Sequence, residues 1–322
     1  MVGVNVSSFR FKKKNSKKDV YIPFYSNFSN YKEDCKYSCE DVIGVIEEFY
    51  KSKITPEQIE YHKKYFGVKI GSFKIEEKND RIYVFFTVIC GGYGLKSEIT
   101  DIDTNKVLFE KKVNNADVKD FRVMFAFEKN QEGFVIDKGA ILFQVIGLHG
   151  VKTLTTAAFK DFLSKNFNIT PFFYTLSTRQ AFEKLVENGS FKKIHLIKNQ
   201  VNPKFSSMFG INCGKEVRTV ALTKIKEKQG FVDKLLQFAT SDKEVYEIDD
   251  NQYDDISLTV DVAGRIKTTS IKELHSFYMV DELPNSVINK DGEIIIPEMD
   301  NALIERANSY LDNIVEGSET DE

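Results

Sequence analysis

Apolar positions follow three different rhythms along the chain. From Ser38, Val42, Ile43, Val45, Ile46 and Phe49 alternate with Asp41, Glu47 and Glu48 at helical spacing, which predicts an amphipathic helix capped by Ser38. Thr55, Pro56 and Glu57 ahead of Ile59 suit the start of a second helix. Between about Val68 and Phe127 the period falls towards two, predicting strands at Val68–Glu76, Arg81–Cys90, Leu95–Asp101, Lys106–Val113 and Phe121–Phe127. Asn79-Asp80 and Thr104-Asn105 supply turn residues, and the nearly unbroken apolar run Ile82–Cys90 reads as a central strand.

After Asp137 strands alternate with helices. Strands are expected at Ala140–Ile146, Pro171–Leu176, Lys193–Lys198 and Val217–Lys226. Helices are expected at about Lys152–Asn166, Thr178–Asn188, Phe231–Ala239 and Asp300–Val315, with a hairpin at Ile256–Val262 and Arg265–Ile271 turning through Ala263-Gly264. The predicted fold class is α+β: a helix-covered antiparallel β-meander domain followed by an α/β domain with alternating strands and helices. The corresponding domains are an irregular basic and aromatic arm (1–38), two helices plus antiparallel sheet (39–139), the α/β domain (140–315) and an acidic tail (316–322). The arm is assigned from the lysine run Lys12, Lys13, Lys14, Lys17 and Lys18, followed by Tyr21, Phe24, Tyr25, Phe28 and Tyr31 without clear period. It is expected to be mobile and to contribute little to folding.

Composition narrows the function classes. In 322 residues, 42% are hydrophobic and 29% charged, enough for a true core, and 45 Lys+Arg against 48 Asp+Glu exclude a chain that coats nucleic acid or anionic lipid by bulk charge. No run approaches the roughly 18 apolar residues of a membrane span. Cys35, Cys39, Cys90 and Cys213 are too sparse for a disulfide scaffold. The apolar opening ahead of the lysines reverses the order of a secretory signal. A cytoplasmic location without membrane contact is therefore expected. Heavy use of Lys, Asn, Ile, Phe and Tyr suits an AT-rich genome, hence a bacterial or phage origin. A place in a multi-protein system such as phage defence is an expectation from that origin alone.

Chemistry is harder to find. Gly147-Leu148-His149-Gly150-Val151-Lys152-Thr153 falls where a strand hands over to a helix, a place where backbone N–H groups, Lys152 and Thr153 could meet an anion. Its spacing is not the G-x-x-x-x-G-K-S/T of a nucleotide-binding loop. Gly91, Gly92 and Gly94 around Tyr93 follow the central strand and read as a loop or bulge. Phe191–Lys228 carries nine Lys+Arg against Glu216 and Glu227, with Phe191, Phe205 and Phe209 interleaved, the mixture that tracks a nucleic-acid backbone. The candidate nucleic-acid-binding residues are Lys152, Lys192, Lys193, Lys198, Phe205, Arg218, Lys224 and Lys226. Ser241–Val262 carries eight acids, including Asp249, Asp250, Asp254, Asp255 and Asp261, which could hold a divalent metal for phosphodiester hydrolysis, an idea that Glu76 two residues before Lys78 on a strand would strengthen. His62, His149, His195 and His275 show no metal or catalytic spacing. The expectation is a non-enzymatic binding or assembly protein, without cofactor or metal, with nucleic acid as one candidate partner and a protein partner or second copy as another. A metal-dependent nuclease or phosphohydrolase using the Asp cluster is the alternative.

Overall fold

The structure, a computed structural model, describes residues 2–16, 20–147, 149–175, 190–199, 207–208, 214–222, 230–231, 246–248, 251–262, 265–270 and 280–316. The chain forms two compact units, residues 1–175 with 280–322, and residues 176–279. The first contains β1 (Val2–Lys13), α1 (Val42–Ser52), β2 (Glu57–Ile59), β3 (Lys64–Val68), β4 (Lys74–Lys78), β5 (Arg81–Gly92), β6 (Ser97–Thr100), β7 (Val107–Lys111), β8 (Asp117–Glu128), β9 (Gly139–Ile146), β10 (His149–Gly150), α2 (Lys152–Phe167) and β11 (Ile169–Thr175). The second contains β12 (Ser190–Lys198), β13 (Glu216–Ala221), β14 (Tyr246–Ile248), β15 (Asn251–Tyr253), β16 (Asp255–Val262) and β17 (Arg265–Ser270). The chain then returns to the first with β18 (Asp281–Glu282) and α3 (Ile296–Glu316). Among the described residues no helix is long and apolar enough to cross a membrane.

The first unit is built on one ten-stranded sheet in the order β11-β1-β9-β8-β5-β3-β2, with β10 on β9, β18 on β1 and β4 on β5. Every pair in it is antiparallel. This corrects the expected architecture. Helices and antiparallel strands are both present, as α+β requires, but a helix-covered meander followed by an alternating α/β domain is not what forms. β1 lies between β9 and β11, pairing Val2–Phe9 with Ile146–Gly139 and Ser7–Lys13 with Thr175–Ile169. Strands from both sides of residue 139 therefore share one sheet, and the chain does not divide there.

The mobile-arm expectation fails for a readable reason. Val2, Val4 and Val6 occupy one parity of β1, whereas Phe9 and Phe11 occupy the other. A strand buried on both faces has no simple alternation, so β1 passes for irregular chain beside the lysine run. All five of these apolar residues are buried. The second expected helix also fails: Glu57–Ile59 is a short strand paired with β3. β9, α2 and β11 fall where the pattern placed them. However, β9 and β11 flank β1 instead of each other, so the crossover through α2 skips a strand. The second unit has a four-stranded sheet in the order β13-β12-β16-β17, antiparallel throughout, with β16 and β17 at the predicted hairpin. The expected helix at residues 178–188, most of that at 231–239 and the acidic tail 317–322 lie outside the described residues.

Helices cover both faces of the large sheet. On one face Phe9, Phe11, Phe86, Phe125 and Phe127 join Phe49 of α1 and Phe159, Phe162 and Phe167 of α2 in a single core. Phe9 stacks on Phe24 at 4.9 Å and Phe49 meets Phe159 edge-on at 4.9 Å, geometries that add to the area buried. α1 starts at Asp41, whose carboxylate accepts from Gly44 N at 2.9 Å, so the cap is Asp41 rather than Ser38. On the opposite face Tyr83, Phe85, Met124 and Leu142 lie with buried Met299, Leu303 and Ala307 of α3.

One ion pair fixes α3 to that face. Arg122 on β8 donates from Nε and Nη2 to the two oxygens of Asp300 at 2.7 and 3.0 Å, both side chains about 5% exposed or less. Its Nη1 also donates to the Ser72 carbonyl at 3.0 Å, and Phe85 lies under the guanidinium at 5.1 Å. Removing one partner leaves the other charge buried, which costs about 3–5 kcal/mol. Asp300→Asn should therefore lower the urea midpoint sharply, while Arg122→Met combined with Asp300→Leu should recover much of the loss. A direct check of β1 is deletion of residues 1–18, which should abolish cooperative thermal unfolding rather than leave it unchanged.

Cys39, 1% exposed, supplies a pH test. Burial, followed by the Glu48 carboxylate, pushes its thiol up to about 12. The folded state keeps this proton where the unfolded chain, with a thiol near about 8.5, loses it. The contribution is full below that value and is lost as pH rises towards the folded one, at no more than about 1.4 kcal/mol per pH unit. Urea unfolding from roughly pH 8 to 10.5 should fall less steeply for Cys39→Ala than for the wild type.

Candidate anion-binding cleft

Where β5 runs out, the sheet turns from apolar to cationic on the face covered by α1 and α2. Antiparallel register places Lys64 opposite Gly92 and Gly92 opposite Asp117, and places Phe66 opposite Cys90 and Cys90 opposite Lys119. Residues directly opposite share a face, so Lys64, Lys119 and Asp117 continue the rows that begin with buried Val68, Val88 and Phe121. The start of α2 comes to the same place through His149, Gly150 and Leu154. Together these residues, with Lys111 from the end of β7, line a cleft of about 290 Å³.

Glycine makes the close approach possible. A Cβ on Gly91 would meet the Asp117 carbonyl, with its carbon at 2.6 Å and Val118 Cα at 2.8 Å. Lys111 Nζ donates to the Gly92 carbonyl at 2.9 Å, tying the end of β7 to the cleft. Gly147 takes φ +57°, and His149–Gly150 folds back on Ile146–Val145 before α2 begins. The N-cap position of this 16-residue helix, Val151, gives no side-chain cap hydrogen bond. Three lysines against one carboxylate, beside the positive end of a helix dipole, attract anions. Cys90, 8% exposed, lines the cleft; burial raises its thiol and the Lys64 charge opposes that rise.

The cleft joins two glycine-rich segments that the sequence offered separately, Gly91–Gly94 and Gly147–Thr153. The first, read as a plain loop, closes β5 and forms one wall. Lys152 opens α2 and is half-buried, but it is not among the cleft-lining residues. Lys64, Lys111 and Lys119 were missed because they stand far apart in sequence and are brought together only by antiparallel register. The one available signal was that Lys119 and Lys64 both lead into apolar strand runs.

The basic segment of the second unit is divided by its own sheet. Lys193 lies on the face of His195, whereas Lys198 and Arg218 lie on the face of Leu196, since Leu196 pairs with Arg218 and Lys198 with Glu216. Lys192, at a register shift, forms an ion pair with Asp261 at 3.5 Å. Lys198 Nζ lies over the Tyr253 ring at 5.1 Å. Phe205, Lys224 and Lys226 lie outside the described residues. His195 has Thr219 Oγ1 at 3.0 Å from Nδ1 and Thr259 Oγ1 at 2.8 Å from Nε2, which occupies both ring nitrogens.

Three aspartates of the acidic segment are similarly committed. Asp254 accepts from Asn199 N at 2.5 Å, Asp255 from Ser270 Oγ at 2.6 Å, and Asp261 meets Lys192. Glu76 pairs with Lys74 at 2.8 Å. Asp249 and Asp250 lie outside the described residues, and among the described ones no three His, Cys, Asp or Glu side chains converge on a metal position. The chain matches no family model, and no curated protein or solved structure proves similar to it.

The cleft wall makes opposite demands on neighbouring glycines. Gly91→Ala should cost about 1–3 kcal/mol by forcing β5 away from β8. Gly92→Ala meets only the flexible end of Lys64, at 3.9 Å, and should unfold close to the wild-type midpoint in the same denaturant titration.

Proposed function

We propose that this chain is a non-enzymatic binding protein that holds nucleic acid by its phosphates, with the cleft at the start of α2 as the main contact. The observation that carries this reading is the convergence of Lys64, Lys111 and Lys119 beside the start of α2. Phosphate oxygens accept hydrogen bonds from lysine and from backbone N–H groups alike, and such contacts fix a strand without reading its sequence. Asp117 leaves a formal excess of two positive charges from three lysines and one carboxylate. Lys152 adds a further cation on the first turn of α2, and in the other unit Lys192, Lys193, Lys198 and Arg218 offer a separate set of cations, with Lys193 and Arg218 on opposite faces of their sheet.

Fluorescence anisotropy with labelled single strands and duplexes across a salt series tests this. Affinity should fall by about 0.7 to 0.9 log units per tenfold rise in salt for each phosphate neutralised, and Lys64→Glu with Lys119→Glu should both weaken binding and flatten that slope. Lys193→Glu and Arg218→Glu, on opposite faces of the smaller sheet, should each change affinity less. Absence of binding at low salt would overturn the reading, as would binding that the cleft variants leave intact.

A further inference from the structure

Between Gly92 and Asp117 the chain leaves the large sheet as a hairpin, β6 paired with β7, and these two strands form a sheet of their own. A lone two-stranded hairpin is marginal in water, yet this one carries its apolar side chains outward. Ile102 at the tip is 94% exposed, Leu108 66%, Ile99 57% and Phe109 52%, with Leu95 and Val113 exposed at the root. Ile99 and Phe109 are directly opposite each other and so form one patch. A cluster of exposed apolar side chains on a single hairpin marks an association site.

Charge identifies the occupant. Residues 95–113 contain four lysines (96, 106, 111 and 112) and four acids (98, 101, 103 and 110), a net of zero. Their placement is uneven. Lys96, Lys111 and Lys112 outnumber Glu98 and Glu110 at the root, where Ser97 pairs with Lys111 and Glu98 with Glu110, and Asp101 and Asp103 outnumber Lys106 at the tip beyond the Thr100–Val107 pair. Two copies laid antiparallel bring each acidic tip to the other's basic root, the self-complementarity that a two-fold axis demands. We propose that this hairpin is the seam of a homodimer, formed by a second copy of the chain packing Ile99, Ile102, Leu108 and Phe109 against their counterparts.

Sedimentation equilibrium of the full chain over a range of concentrations should give a dimer mass that dissociates on dilution. Phe109→Asp should give a monomer with unchanged far-UV circular dichroism. Ile102→Asp, at the fully solvated tip, serves the same purpose should the first variant lose its fold. Asp103→Lys and Lys112→Glu should each weaken the dimer by about tenfold or more, an effect of the size seen for close interfacial charge pairs, and the two changes together should restore it. A monomer at every concentration, whether or not another protein co-purifies with it, overturns the proposal. So does a dimer that survives Ile102→Asp or a charge pair that shows no rescue. None of these changes touches Lys64 or Lys119, so the dimer can fail while nucleic-acid binding persists, and the reverse.

Discussion

The seat of β1 between β9 and β11 is the constraint on which the first unit depends. Without it β9 would end the sheet and β11 would have no neighbour in the observed order. α2 would then lose the strand whose Phe9 and Phe11 it covers. The pairing is non-local, joining the first 13 residues to residues 139–146 and 169–175. Its loop-closure entropy must therefore be met by burial, and β1 meets it on both faces: valines towards α3 and phenylalanines towards α1 and α2.

The two faces are held by different physics. The α1 and α2 side is a phenylalanine-rich core whose rings meet in stacked and edge-on pairs. The α3 side is anchored by directional bonds. Arg122 meets Asp300, and Arg81 donates to Glu128, Asn308 and Asp312 at 2.6 to 2.8 Å, with Tyr83 also donating to Asn308. Such bonds fix the position of α3 along the sheet more sharply than apolar contact alone. They also make that face less tolerant of loss of a single group.

The cleft and the hairpin are neighbours because β5 and β8 both end near Gly92 and Asp117. The chain between them must leave the sheet and return, and the hairpin is that excursion. Lys111 belongs to both: it ends β7 and its ammonium donates to Gly92 in the cleft wall. A partner that orders the hairpin would thus act on a residue that also faces the anion site.

Local pattern was sufficient for several elements. Ile82–Cys90 as a central strand, Ala140–Ile146, the α2 helix and the β16–β17 hairpin all have a period or turn signal within a few residues, and each forms where that signal lies. β6 and β7 were equally legible as strands, but not their departure from the main sheet. β1 was illegible because its apolar parity changes midway, between Val6 and Phe9, and because a lysine run begins where its last buried residue ends. The cleft was illegible because Lys64, Lys119 and His149 are far apart in sequence and are brought together only by antiparallel register and by the return of α2 to the β5 end. The basic segment around Lys193 was legible as composition, yet strand pleating sent Lys193 and Arg218 to opposite faces. The sequence by itself thus determined those strands and helices whose period or turn signal lies within a few residues, though not β1 or β2. Which strands pair, which side chains share a face and where cations converge were decided by the tertiary structure, because they depend on contacts between residues distant along the chain.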